Sequence, residues 1–152
     1  MTEPYTPLDP HYVERVQSSF TRQQFMSFLG AKLVEIRPGY CEIHLPYRGE
    51  LSQQHGYFHG GVIGTIADNA GGYAAYTLQP ADSSVLTVEY KLNLLAPGDG
   101  ELLIARGQVV KPGRTLTVCK SEIAVVKNGL EKLCAIAVIT LMRMAGKSDG
   151  PE

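Results

Sequence analysis

The chain has 152 residues, of which 44% are hydrophobic and 19% charged. This composition predicts one folded domain and excludes an intrinsically disordered protein. Fourteen basic and fifteen acidic residues give a net charge of −1 at pH 7, so the basic excess of nucleic-acid-binding proteins is missing. The longest apolar run, from Leu133 to Ile139, is too short to span a membrane, and the N-terminus has no secretory-signal pattern. We therefore expect a cytoplasmic protein with no membrane span.

The cysteines fit the same interpretation. Cys41, Cys119 and Cys134 are far apart in the sequence, form no CxxC pair and lie in apolar stretches. This pattern predicts three reduced, buried thiols, as is usual in a cytosolic protein.

The first thirty residues predict two helical stretches. Asp9-Pro10 is typical of a helix start, and apolar residues follow at helical spacing. Thr21 and Gln24 predict a capping box for a second, shorter helix, which Gly30 ends. We expect an N-terminal helical segment over residues 1–30.

Two strands are predicted next, over residues 31–37 and 40–46, with a turn at Pro38-Gly39. In the second, apolar and polar residues alternate with the two-residue period of a half-buried strand.

Residues 60–78 have a different pattern, with apolar side chains on one helical face and no two-residue alternation. Nine of these nineteen residues are Gly or Ala, and each Gly costs a helix about 1 kcal/mol relative to Ala. Missing side chains let neighbouring backbones approach closely. The composition therefore predicts a central helix wrapped tightly by a sheet.

Four further strands are predicted, over residues 85–95, 101–111, 115–127 and 130–143. The sequence from Lys111 to Arg114 predicts a type II turn with Pro112 and Gly113 at its centre. Asn128-Gly129 predicts a tight hairpin turn, and the last strand is apolar on both faces, which favours a place inside the sheet.

Together these elements predict an α+β protein with an antiparallel sheet packed on a long helix. We expect a single domain over residues 31–144, and a polar, flexible tail over residues 145–152.

Most residues capable of chemistry lie between Gln53 and Asn69. His55 and His59 are four residues apart, as in metal-binding helices, but the Glu of HExxH is absent and the surrounding glycines indicate a loop. A metal site is therefore disfavoured. The glycines from Gly60 to Gly64 match no nucleotide-binding pattern, and no βαβ unit follows them.

A third interpretation is an oxyanion hole at the start of the helix. The first amides of a helix lack intrahelical partners and carry the positive end of its dipole, and glycines let a substrate carbonyl approach them. Asp68 follows on a small, apolar stretch of the same helix, where burying a carboxylate is costly. It is either a nucleophile or general base, or an ordinary exposed side chain.

Gly60 and Asp68 are eight residues apart, which corresponds to about 12 Å along a helix axis. Reacting atoms must lie within about 3–3.5 Å of each other. One substrate carbon cannot contact both residues of the same chain, so a catalytic role for both requires two subunits.

The pattern His59-Gly60-Gly61 followed by Asp68 resembles the hotdog-fold acyl-CoA thioesterases of the PaaI-like family, which includes phenylacetate-degradation and 4-hydroxybenzoyl-CoA thioesterases. The stretches 87–97 and 107–115 extend the resemblance, which covers about residues 28–142. It implies a curved antiparallel sheet around a long central helix and hydrolysis of an acyl-CoA thioester without a metal or redox cofactor. It also implies a site between the subunits of a homodimer or homotetramer.

The resemblance also implies roles for single residues. The Gly60 amide would form the oxyanion hole, and Asp68 would attack the thioester or activate water. Gln53 would orient substrate or water, Thr87 would help to place the water, and His59 would shape the loop.

Four further residues are assigned to substrate binding. Gly61 and Asn69 adjoin the residues above, while Lys111 and Arg114 either meet the phosphates of CoA or form a solvated basic pair beside a turn. Gln54 is an alternative to Gln53.

Two other functions remain open. One is a non-catalytic acyl-CoA-binding sensor, which Asp68 disfavours because a carboxylate does not help to bind an anion. The other is a hydratase or dehydratase, in which His59 would take part in acid–base chemistry on the acyl chain. The sequence does not identify the acyl group of the substrate. Four aromatic residues are consistent with either a pocket or ordinary packing, namely Tyr57, Phe58, Tyr73 and Tyr76.

Overall fold

A computed structural model describes residues 5–149. The parts of the predicted N-terminal segment and tail that fall on residues 1–4 and 150–152 lie outside the described residues. The elements follow in this order: α1 (Tyr12–Arg22), α2 (Gln24–Leu29), β1 (Lys32–Arg37), β2 (Tyr40–Pro46), a 3-10 turn (Gly49–Leu51), α3 (Gly60–Tyr76), β3 (Ser83–Leu94), β4 (Leu102–Lys111), β5 (Leu116–Lys127) and β6 (Leu130–Ala145).

The six strands form one sheet in the order β1-β2-β4-β5-β6-β3, and all neighbours are antiparallel. α3 packs on this sheet and contacts β2, β3, β4, β5 and β6. The α+β prediction is therefore confirmed, and β6 lies inside the sheet with a strand on each side, as its apolar faces predicted.

The glycines of α3 and of the sheet allow the close packing that the sequence predicted. A Cβ on Gly107 of β4 would lie 2.3 Å from the carbonyl of Ala70 on α3, and a Cβ on Gly71 would lie 2.9 Å from Ile139. The Ser121 hydroxyl donates a hydrogen bond of 2.7 Å to the carbonyl of Ala67. The helix backbone therefore touches the sheet directly, which fixes the position of every residue along α3.

The first helix begins later than predicted. α1 starts at Tyr12, after His11 as the N-cap residue. Asp9 accepts a hydrogen bond of 2.9 Å from the His11 backbone N–H, so it stabilises the turn before the helix rather than the helix itself.

The predicted capping box at the start of α2 is wrong. The Thr21 hydroxyl donates to the Gln17 carbonyl, and α2 has Gln23 at its N-cap without a side-chain cap. Hydroxyls of helical Thr often bond back in this way to the preceding turn. Gly30 does end α2, in the left-handed conformation at φ 82°.

The two predicted turns of the second half differ in outcome. Asn128 and Gly129 have φ values of 51° and 74°, as a type I′ hairpin turn requires. Gly113 lacks the positive φ of a type II turn, so that prediction is wrong. A Cβ there would lie 2.1 Å from the Leu116 carbonyl oxygen, and close approach of the backbone explains the glycine.

The three cysteines are buried and free, as predicted. Among residues 5–149, no helix is both long enough and apolar enough to cross a membrane.

Candidate active site

Asp68 lies at the middle of α3 and faces β3. Its carboxylate accepts a hydrogen bond of 2.7 Å from the Thr87 hydroxyl, so the structure brings together two of the predicted site residues. Asp68 is half-buried. Burial raises the pKa of its carboxyl, and the Thr87 hydrogen bond opposes this in part. A carboxylate that is partly desolvated and held by one hydroxyl is a stronger base than a free aspartate.

A cleft of about 180 Å³ opens beside this carboxylate; we call it the Asp68 cleft. Residues of α3, β3 and β6 form its floor and sides, and residues of α1, of the α1–α2 junction and of the C-terminal segment form its far end. It is lined by Ser19, Gln23, Asp68, Asn69, Gly72, Tyr73, Tyr76, Ser84, Val85, Leu86, Thr87, Leu141 and Asp149.

The start of α3 forms a separate structure. His59 is the N-cap, and its Nδ1 accepts a hydrogen bond of 2.8 Å from the Gly61 N–H. No group within residues 5–149 accepts a hydrogen bond from the Gly60 N–H. A Cβ on Gly60 would lie 3.1 Å from Leu94, so the glycine leaves room beside a free amide at the positive end of the helix dipole.

Gln53 lies in the same region and holds the preceding loop. Its Oε1 accepts hydrogen bonds from the backbone N–H groups of His55 (2.5 Å) and Tyr57 (3.3 Å). The side-chain amide N–H groups remain available for another partner. Gln53 and Gly60 line one surface depression, here called the Gly60 depression, together with Tyr57, Phe58, Ile63, Leu94, Leu95, Ala96, Pro97 and Gly98. Gln54 is exposed and does not line it.

The predicted catalytic residues therefore form two groups in one chain. Asp68 and Thr87 belong to the Asp68 cleft, and Gln53 and Gly60 belong to the Gly60 depression. The cleft and the depression share no lining residue. Both Gly60 and Asp68 lie on α3, so the separation of about 12 Å that helix geometry gives applies to them.

The remaining predicted residues have different positions. Asn69 lines the Asp68 cleft, whereas the Gly61 amide is occupied by His59. Lys111 and Arg114 are exposed near the β4–β5 turn and line neither the cleft nor the depression.

Residues from the N-terminal helices also reach the Asp68 cleft, which the sequence did not predict. The Tyr73 hydroxyl is 2.9 Å from the Ser19 hydroxyl and accepts a hydrogen bond of 2.8 Å from Gln23. Burial raises the pKa of Tyr73 to about 12, so the phenol stays protonated. Because Ser19 and Gln23 are about fifty residues from Tyr73 in sequence, no local pattern indicates this contact.

The edge strand β3 presents apolar side chains to solvent. It pairs with β6 on one side, and no strand within residues 5–149 pairs with its other side. Leu86, Val88 and Leu94 on this strand are 55%, 51% and 57% exposed. Such an edge is suited to pairing with another strand.

The chain is similar to proteins of the thioesterase family in sequence and architecture. The family model of the Thioesterase superfamily matches residues 55–132. A solved thioesterase family protein from Silicibacter pomeroyi is 44% identical, with a TM-score of 0.88 over 89% of this chain and 99% of that chain. The PaaI protein of the Escherichia coli phenylacetic acid degradation operon has the same fold, with a TM-score of 0.81 over 93% and 99% of the two chains at 20% identity.

Curated relatives are named as ester or thioester hydrolases. A proposed esterase from Halobacterium salinarum is 33% identical over 116 residues, which cover 73% of this chain and 75% of the relative. The 1,4-dihydroxy-2-naphthoyl-CoA hydrolase of Listeria monocytogenes is 28% identical over 114 residues, which cover 74% and 89%.

Proposed function

The chain belongs to the Thioesterase superfamily, and from this premise we propose that it hydrolyses an acyl-CoA thioester to free CoA and a carboxylic acid. The observation that carries the proposal is the Asp68 carboxylate, half-buried beside a cleft and hydrogen-bonded to Thr87. A curated relative whose name specifies a CoA thioester supports the choice of CoA over other leaving groups.

In the proposed reaction, the thioester carbonyl carbon is attacked by the Asp68 carboxylate or by water that Asp68 deprotonates. The carbonyl oxygen gains negative charge, which the free Gly60 amide at the helix start would stabilise. The C–S bond then breaks and CoA leaves as a thiolate. Where water attacks, the proton that Asp68 took from it goes to the sulfur. Where Asp68 itself attacks, water hydrolyses the resulting acyl–Asp68 anhydride in a second step, which regenerates the carboxylate and supplies the proton of the thiol. One water molecule is consumed for each acid and thiol released.

We propose that each site combines two subunits. Gly60 and Asp68 of the same chain are too far apart along α3 to act on one carbon. The apolar, unpaired edge of β3 supports pairing with a second copy, since it would otherwise expose several large apolar side chains to water. The Gly60 depression of the partner would then complete the Asp68 cleft.

The test is the release of free thiol from a panel of acyl-CoAs by wild type and Asp68→Asn. Asn keeps a hydrogen-bond acceptor for Thr87 but is neither a base nor a nucleophile, so we expect kcat to fall about 10²–10⁴-fold. The exposed Asp82 supplies a matched control, Asp82→Asn, which should retain the wild-type rate.

Three outcomes would contradict the proposal in different ways. An unchanged rate in Asp68→Asn would remove Asp68 from the chemistry. Binding of acyl-CoA without turnover would indicate a sensor. A product with a shifted double bond and an intact thioester would indicate a hydratase or dehydratase.

A further inference from the structure

We propose that the C-terminal segment, residues 146–149, is a strap that closes the far end of the Asp68 cleft and opens when one side chain, that of Asp149, leaves its partners. The role of the strap as a gate for substrate or product rests on the proposed function, whereas its opening does not. The path of the segment, the hydrogen bonds of Asp149 and the exposure of its partners carry the proposal.

The strap follows directly after β6 and folds back toward the cleft. Gly146 has a left-handed φ of 73°, and the Lys147 N–H donates a hydrogen bond of 3.4 Å to the Met144 carbonyl, which closes a turn. The residues from Gly146 to Ser148 are exposed, whereas Asp149 is half-buried and lines the cleft. The strap therefore passes through solvent and contacts the rest of the protein again at Asp149.

The Asp149 carboxylate joins two different walls of the cleft. Its Oδ2 accepts a hydrogen bond from the Ser19 hydroxyl of α1, and its Oδ1 accepts one of 3.1 Å from the Ser84 hydroxyl of β3. Ser19 and Ser84 both line the cleft. One side chain therefore connects the helical wall to the sheet wall at the far end of the cleft.

Arg22 supplies a third donor for the end of the strap. Its Nη2 lies 3.5 Å from the Asp149 Oδ2 and also donates to the Asp149 backbone carbonyl. Its Nη1 donates a hydrogen bond of 2.6 Å to the Ser18 hydroxyl, so α1 holds the guanidinium in place. Three donors thus converge on Asp149, which gives the strap one defined closed position.

The contacts that hold the strap are nevertheless weak. The side chains of Arg22 and Asp149 are 40% and 32% exposed, and an ion pair this exposed contributes little to stability. Within residues 5–149, the strap makes one hydrogen bond besides those of Asp149, from the Lys147 N–H. A Cβ on Gly146 would meet no atom within 4 Å, so the turn has open space around it. Loss of the Asp149 contacts would therefore free the strap without unfolding the sheet.

An open strap would change the cleft directly. The Asp149 side chain is part of the cleft lining, so its departure would expose the far end to solvent. In the proposed hydrolase, the closed strap would shield the acyl group from water, and the open strap would let the acid product leave.

The first test measures the opening of the strap by limited trypsin digestion of the full chain. Trypsin binds an extended segment, so cleavage after the exposed Lys147 requires Asp149, two residues further on, to leave its partners. When opening and closing are fast, the cleavage rate follows the population of the open state. Arg22→Gln removes the guanidinium and leaves the sequence of the strap unchanged, so cleavage at this bond, followed by mass spectrometry, should be at least about threefold faster.

The matched control for this test is Arg37→Gln, which removes another exposed, ion-paired arginine. It should be cleaved after Lys147 at the wild-type rate. Equal rates in wild type, Arg22→Gln and Arg37→Gln would overturn the proposal.

The second test measures access to the cleft with a thiol placed inside it. Gly72 lines the cleft, and a Cβ there would have one neighbour within 4 Å, the Leu141 side chain at an ordinary contact distance of 3.5 Å. Gly72→Cys should therefore fit and point its thiol into the cleft. The three native cysteines are buried, and burial raises the pKa of each thiol, so their reaction with iodoacetamide is slow.

Adding Arg22→Gln to Gly72→Cys should increase the rate of modification by iodoacetamide at least about twofold. Gly49→Cys, at an exposed position where an added Cβ meets no atom within 4 Å, should react equally fast with and without Arg22→Gln. Faster cleavage after Lys147 with an unchanged modification rate in Gly72→Cys would show that the strap opens without gating the cleft, and would also overturn the proposal.

Neither measurement depends on hydrolysis, which separates this proposal from the proposed function. If no acyl-CoA is hydrolysed but Arg22→Gln raises both rates, the hydrolase proposal fails and the gate stands. If hydrolysis occurs and neither rate changes, the function stands and the gate fails.

Discussion

The Gly60 depression and the Asp68 cleft differ in how the chain builds them. The depression depends on local contacts: Gln53 bonds to the backbone of its own loop, and His59 caps the helix that follows. The cleft depends on contacts between distant segments, with Thr87 from β3 and Gln23 from the N-terminal helices. In the proposed reaction, the first would hold the carbonyl oxygen and the second would supply the reacting carboxylate, so each would need the other.

After Asp68→Asn, the largest effect is expected from removing the free Gly60 amide of the depression. Gly60→Pro deletes this N–H at the first position of α3, where proline is well tolerated. We predict a loss of about 10²–10³-fold in kcat, the usual result of removing one oxyanion-hole donor, with thermal stability close to wild type. A fully active and folded Gly60→Pro enzyme would show that the depression does not act on the substrate.

The second prediction concerns the proposed strand pairing between subunits at β3, which would bring the depression of one subunit to the cleft of the other. Val88→Lys places a charge on the apolar edge of β3, which should prevent strand pairing between subunits. We predict a monomer by analytical ultracentrifugation and a loss of activity of at least about tenfold. Val110 on β4 is similarly exposed, so Val110→Lys is the control. An active Val88→Lys monomer would contradict the proposal that each site is shared between two subunits.

A smaller effect is expected from Thr87→Val, which alters the Asp68 cleft alone. The Thr87 hydrogen bond lowers the pKa of Asp68 against the effect of burial, so removing it should raise that pKa further. The acidic limb of the pH profile of kcat/KM should move to higher pH, with a rate loss of about tenfold near neutral pH. Thr115→Val, at an exposed turn residue, should leave the profile in place, and an unmoved limb in Thr87→Val would contradict the assignment.

The smallest predicted effect is on stability. Because burial raises the pKa of Asp68 in the folded state, its ionised form destabilises the fold at pH values above that pKa. Asp68 is only half-buried, so solvent screening reduces the effect, and Asp68→Asn should increase the free energy of unfolding at pH 7 by less than about 1 kcal/mol. The gain should disappear as the pH falls through the folded and then the unfolded pKa of Asp68, where the carboxyl is protonated in both states. Chemical denaturation at pH 7 and pH 3 measures it, and a destabilised variant at pH 7 would contradict the sign.

The difference between local contacts and contacts of distant segments also explains which parts of the fold could be predicted from the sequence. The strands and α3 follow from periodicity, which is local, and the predicted bounds lie within two residues of those observed. The hairpin turn at Asn128-Gly129 was predictable because both residues favour positive φ. The turn prediction at Gly113 was wrong because a glycine is needed there for a different reason: the backbone of Gly113 lies too close to the Leu116 carbonyl for a Cβ. That contact forms only when the hairpin closes.

Among the site residues, the sequence indicated those within or near the His59–Asp68 stretch, and the resemblance added Thr87. It did not indicate Ser19 and Gln23 at the far end of the cleft. Ser19 is an ordinary polar residue of α1 and Gln23 lies between α1 and α2, and only the packing of this segment against α3 brings them to Tyr73 and Asn69. Residues of this kind have no local pattern from which a role could be inferred.

The most direct test of the shared site is complementation between two inactive variants. Gly60→Pro and Asp68→Asn are each purified, mixed in equal amounts, unfolded and refolded together, and assayed for thiol release. In a mixed dimer, one site carries both substitutions and the other carries neither, so random pairing should restore about a quarter of wild-type activity. A mixture that stays as inactive as its two components would contradict a site built from the Gly60 depression of one subunit and the Asp68 cleft of the other.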